Sequence, residues 1–264
     1  MPRPLPSLVI ALLATLALAP AARADRVSGT PYVVTTPQGA VYQSSLDDAI
    51  AGLRMIDRYE RRHVGLVVTA RTEVRLVPGT ACGPEMPAPE PRVAAATRGN
   101  LICVYTESRA WPSTRDGRRF VVAHEAIHVL QGQLGCTTQG RDAPLWFLEG
   151  MADLFAHRAL LPAGWSGAML RSSLEAEAKL DGLSPGGLRA HERSSSGLDY
   201  SEAARAVAAL DGGTPPRLLG FCRAVGRGTS WPAAFAASFG ETINHFYTRF
   251  ARIRAHIETL EVEG

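Results

Sequence analysis

The chain is expected to fold as an α+β protein, with a small sheet-containing lobe over residues 25–115 and a helical lobe over 116–264, packed as one compact unit. Three observations predict this. Short runs of β-branched and aromatic residues fall before residue 106, the pattern beyond Gly135 is helical in period, and Pro and Gly punctuate the boundaries between segments. An apolar content of 46% is enough to build a substantial core in a chain of this length. The helix at the cleft between the lobes begins after Pro112, Ser113 and Asp116 and carries an unusual set of polar residues.

From the N-terminus, Arg3, an apolar run from Leu8 to Ala19, the Pro20 break and Ala22-Arg23-Ala24 read as a secretory leader spanning 1–24, with cleavage before Asp25. The run is too short to span a bilayer comfortably. The expectation is an exported protein, periplasmic or extracellular and soluble, with no stable membrane insertion once the leader is removed. Tyr32 to Thr36 has strand composition, and Ser45 to His63 reads as an amphipathic helix with Leu46, Ile50, Leu53 and Ile56 on one face. Glu73 to Val77 is a second strand, Gly79 to Arg92 a Pro- and Gly-rich loop, and Leu101 to Tyr105 a continuously apolar strand. Helices are then expected over Leu145 to Leu161, Tyr200 to Leu210, Pro216 to Val225, Ser230 to Phe239 and Glu241 to Leu260. No internal repeat or low-complexity tract occurs.

Loss of Arg3 and Arg23 with the leader takes the net charge from +3 to +1, which gives no support to nucleic-acid or acidic-membrane binding. Lys179 is the single lysine, a bias that reads as genome composition. Cys82, Cys103, Cys136 and Cys222 are widely spaced, without a C-x-x-C zinc pattern, and an even number in an exported chain predicts two disulfides. Pairing Cys82 with Cys103 closes the Pro-rich loop, and Cys136 with Cys222 ties the end of the motif helix to the C-terminal helices.

The motif is His124-Glu125-Ala126-Ile127-His128, flanked by Phe120-Val121-Val122-Ala123 and Val129-Leu130. Two imidazoles four residues apart on a helix leave one face together and can hold a single metal ion, with the intervening carboxylate beside a metal-activated water. The apolar flanks make this a buried helix, and burying two His and a Glu without partners would cost several kcal/mol. A metal satisfies them.

A catalytic zinc takes three protein ligands and keeps one open position. A continuation H-x-x-G-x-x-H would need Gly at 131 and His at 134, but the chain has Gln131 and Leu134. A second source is Trp146-Phe147-Leu148-Glu149-Gly150-Met151-Ala152-Asp153, where Glu149 and Asp153 lie at i and i+4 on an otherwise apolar helix. One carboxylate can bind the metal while the other accepts the remaining N–H of a ligand histidine.

On HEAIH, on WFLEGMAD at this distance, and on the pattern that opens at Tyr200-Ser201 and includes Ser238-Phe239-Gly240, the chain resembles the gluzincin zinc metallopeptidases, in particular their compact peptidase MA-like domains. The resemblance covers roughly Leu101 to Ile253 and implies a zincin-like fold with one Zn2+ per chain. It implies further that His124, His128 and Glu149 bind the zinc, that Glu125 is the general base, and that Asp153 supports a ligand from behind. A Tyr or His donor for the oxyanion is also implied. Tyr200, at a helix start after the Ser194-Ser195-Ser196-Gly197 loop, is the candidate, ahead of His191 and His245, while His157 reads as a helix-surface or supporting residue. The strand Leu101 to Tyr105 is expected to form the edge along which an extended peptide or protein substrate pairs. The Gly-x-Met-Glu-Asn amine-binding motif of related aminopeptidases is absent. The rival expectation is a catalytically silent zinc-binding domain for recognition or assembly; an intact Glu125 counts against it.

Overall fold

The computed structural model describes residues 23–36, 43–79, 82–83, 86, 93–137, 143–161, 166–211 and 215–260. Most of the expected leader, residues 1–22, lies outside them, as does much of the Pro-rich loop.

The fold is α+β, a five-stranded mixed sheet followed by a helical array. Strand β1 (Arg23–Arg26) forms a hairpin with β2 (Tyr32–Thr36), and it includes the last two residues of the expected leader. Helix α1 (Gln43–Tyr59) returns the chain so that β3 (Thr72–Val77) lies parallel to β2, and β5 (Leu101–Tyr105) lies parallel to β3. Strand β4 (Ala95–Arg98) pairs antiparallel with β5, giving the order β1-β2-β3-β5-β4. Alternation in β3 places Thr72, Val74 and Leu76 in the core, the period a strand with one covered face requires.

Helix α2 (Arg115–Gln133) carries the HExxH motif, and α3 (Leu145–Leu160) the two downstream carboxylates. They are followed by α4 (Gly167–Asp181), α5 (Tyr200–Asp211), α6 (Pro216–Gly226), α7 (Trp231–Phe239) and α8 (Ile243–Thr259). Helix α2 starts at Thr114, whose hydroxyl accepts from Gly117 N–H, and is buried without a break from Val122 to Ala126. Its basic first turn is compensated by the buried Asp48 of α1, which accepts from Arg118 Nη2 at 2.7 Å and Nε at 2.9 Å. An aromatic cluster of Trp146, Phe147, Phe221, Phe235 and Phe246 joins α3 to α6, α7 and α8. Cys82 pairs with Cys103 and Cys136 with Cys222, as expected, with Cα separations of 6.1 and 4.8 Å that suit a disulfide.

Helix α3 runs very close to α5. A Cβ on Gly150 would lie 2.3 Å from the carbonyl oxygen of Ala203, backbone that has nowhere to move, so the glycine that follows Glu149 is a packing requirement. Gly150→Ala is expected to lower stability by about 3 kcal/mol through overpacking. Gly220→Ala, on α6 with open space around it, should instead be neutral or raise stability by about 0.5 kcal/mol. Urea denaturation of the two variants checks the contrast; equal midpoints would refute the close α3–α5 approach.

Candidate metal centre

Helices α2 and α3 bring three ligand atoms to one point. His124 Nε2 and His128 Nε2 are 3.1 Å apart, and Glu149 Oε2 lies 3.2 Å from the first and 3.3 Å from the second. Tetrahedral ligands at zinc bond lengths are separated by about 3.3 Å, so the triangle has the size a bound zinc requires. Among the described residues, no other group of three His, Cys, Asp or Glu side chains converges in this way.

The far side of each imidazole is tied off. Asp153, one turn beyond Glu149, accepts from His124 Nδ1–H at 3.2 Å. Gln131, one turn beyond His128, donates through Nε2 to the Leu148 carbonyl at 2.8 Å. That fixes the amide orientation, so Gln131 Oε1 accepts from His128 Nδ1–H, also at 2.8 Å. With both Nδ1 atoms protonated, the two Nε2 atoms and a carboxylate oxygen converge, an arrangement that needs positive charge among them, from a metal ion or from a proton on His124 Nε2. Burial alone would lower the basicity of His124, but its bonds to Asp153 and Glu149 outweigh this and push it up to about 10. Burial likewise works against the Glu149 carboxylate, and the two histidines nonetheless hold it well below the usual range.

Glu125 lies beside the triangle but not in it. The hydroxyl of Thr97, on β4, donates to Glu125 Oε2 at 2.6 Å. Tyr200 opens α5 with its ring centroid 5.9 Å from that of His124. Desolvation first, then the nearby Glu149, Glu125 and Asp153 carboxylates, raise its pKa, so it stays protonated and able to donate. His157, on α3 one turn past Asp153, has Nε2 3.6 Å from Asp153 Oδ2 and 3.6 Å from Glu177 Oε2. These groups line a cavity of about 1070 Å³.

Several expectations are corrected. Strand β5, Leu101–Tyr105, is paired on both sides, and the edge strand next to α2 is β4, whose Ala95, Ala96 and Thr97 line the cavity. His191 lies away from the site, buried between the carbonyls of Ser194 and Pro185, and His245 is exposed and paired with Glu241. Gln131, Thr97 and Glu177 are site residues that sequence reasoning missed. Gln131 was legible from its i+3 spacing to His128, on the same helix face.

Asp153→Ala is expected to weaken zinc binding by about 10- to 100-fold, because His124 loses the acceptor that sets its tautomer and orientation. Competition with a chromophoric chelator measures this, and an unchanged affinity would remove Asp153 from the centre.

Comparisons with known proteins add the following. Residues 120–179, which hold most of α2, all of α3 and most of α4, match a family described as a protein of unknown function (DUF1570). No curated protein sequence matches the chain. Among solved structures, the crystal structure of an M1 zinc metallopeptidase from Deinococcus radiodurans is similar at 14% identity with a TM-score of 0.45. The match covers 91% of this chain and 52% of that one, so the chain spans about half the length of that protein.

Proposed function

We propose that the chain is an exported zinc metallopeptidase of the gluzincin type. The observation that carries this reading is the triangle of His124 Nε2, His128 Nε2 and Glu149 Oε2 with Glu125 beside it, facing a cavity wide enough for a peptide. Zinc held by His124, His128 and Glu149 supplies Lewis acidity toward a water and the scissile carbonyl. Glu125 takes the proton from that water and later delivers it to the leaving amine, while Thr97 holds one carboxylate oxygen and leaves the other free for the transfer. Tyr200 donates its hydroxyl to the developing oxyanion. The outer edge of β4, unpaired among the described strands, lets an extended substrate add as a further strand, with the scissile bond carried over α2.

Two disulfides suit an oxidising compartment, and no helix among the described residues is long and apolar enough to cross a membrane. The rival silent zinc domain has no use for a carboxylate held by Thr97 at the cavity wall. Incubating the zinc-loaded protein with a peptide library and reading products by mass spectrometry tests the reading: chelator-sensitive cleavage is expected, and an intact library would contradict it.

A further inference from the structure

The cavity has a sign. In a chain with 28 Lys and Arg residues, none of the described residues that line the cavity is basic apart from histidine, whereas four carboxylates do: Glu125, Glu149, Asp153 and Glu177. A dication balances two of them. Even with a proton on His157 the cavity stays negative, and Glu177 is the one carboxylate with no part in holding the metal or moving the proton.

Glu177 is also held in place. Ser173, one turn earlier on α4, donates its hydroxyl to Oε1 at 3.1 Å, and Ser201 on α5 donates to Oε2 at 3.2 Å. A carboxylate has about four acceptor positions, so two hydroxyl donors and His157 Nε2 at 3.6 Å leave room for one more partner. The side chain is 41% exposed and belongs to the cavity wall.

The placement is one-sided. His157, which touches Glu177, has its ring 4.6 Å from that of Phe120, near the start of α2. The opposite end of the cavity, past His128, is lined by Gln133 and Thr137, and none of the described residues there is charged. Phe120 and Val121 supply apolar wall on the Glu177 side, a surface on which the methylene stem of a long basic side chain can lie with its head at the carboxylate.

We infer that Glu177, held by Ser173 and Ser201, selects substrates carrying a cation, an alkylammonium or guanidinium, on one side of the scissile bond. This rests on the peptidase reading of the same cavity. A basic side chain and a free α-amine share this chemistry, and the two are separated by blocking the terminus.

The test is calorimetric titration of the zinc-loaded Glu125→Gln chain, which binds without turnover, with three alanine-based hexapeptides. One is blocked at both ends with a central lysine, one is blocked with norleucine in its place, and one has norleucine and a free amine. The blocked lysine peptide is expected to bind about tenfold more tightly than the blocked norleucine peptide. Adding Glu177→Gln, which is isosteric and should leave the thermal midpoint unchanged, is expected to erase that advantage. Adding Glu177→Lys instead should favour a glutamate peptide. A gain confined to the free-amine peptide, and erased by Glu177→Gln, would identify the cation as the α-amine. Equal binding of all three, no binding at all, or an advantage that survives Glu177→Gln overturns the inference. If the parent chain with Glu125 intact fails to cut peptides that Glu125→Gln binds with this preference, the peptidase reading falls and the cation subsite stands.

Discussion

Glu125→Gln is expected to keep a full complement of zinc and to lower peptide hydrolysis by about 10³-fold, the usual contribution of a general base. The amide preserves the shape of the side chain and the bond from Thr97, since an amide oxygen accepts from the hydroxyl as a carboxylate oxygen does. It removes the carboxylate beside the candidate metal centre that is proposed to take a proton from water. Thr97 acts through Glu125, so Thr97→Val should cost about tenfold in kcat with little change in KM, and Thr97→Ser should restore most of it. Steady-state kinetics on a peptide selected from the library read both. Retained turnover in Glu125→Gln would refute the base assignment.

Stability is expected to fall as pH rises from about 4.5 to about 8, and to level off above that, because of one carboxylate outside the candidate metal centre. Glu60, in the π-helical turn Glu60–Val64 that ends α1, is fully buried. Its Oε2 accepts from Val68 N–H at 3.3 Å, while Oε1 and the nearby Tyr32 hydroxyl have no partner among the described residues. Burial pushes its pKa up from 4.5 to about 8; the Val68 bond opposes this, Asp57 adds to it, and Arg61 opposes it. Below pH 4.5 folded and unfolded chains both hold the proton. Between 4.5 and 8 only the folded chain holds it, so each step up in pH favours unfolding. The accumulated loss is on the order of 5 kcal/mol, from about 1.4 kcal/mol per pKa unit over the shift from 4.5 to about 8. Glu60→Gln removes the titration, so its stability relative to the parent should be near zero at pH 4 and should grow through pH 8. Denaturant midpoints across this range measure the difference, and a pH-independent difference would contradict the assignment.

The candidate metal centre was legible because its spacing on two helices is itself the chemistry: His124 and His128 one turn apart, Glu149 and the supporting Asp153 one turn apart, each pair on one face. The residues that tune the site were harder to see. Thr97 sits on β4, whose Ala-Ala-Thr-Arg composition has weak strand preference and forms a strand only because β5 pairs with it. Its signal was the two-residue turn Gly99-Asn100 before an apolar run, with Gly99 at φ 58°, a hairpin marker. Glu177 sits on α4, which buries only the narrow stripe Leu170, Leu174 and Ala178, although Ser166 caps it by accepting from Met169 N–H. Strand β1 was hidden because its first residues read as the end of a leader. Tyr200 was named from its place at a helix start, and its ring lies near His124, whereas His191 and His245 were named for chemistry without position, and packing put both elsewhere.

The claim on which the rest depends is that His124, His128 and Glu149 form one zinc site. Metal content by mass spectrometry on the purified protein beside its Glu149→Ala variant tests it directly. One zinc per chain in the parent and clearly less in the variant is the expected result. Full zinc retention by Glu149→Ala, or a parent chain that takes up no zinc after remetallation, would contradict it.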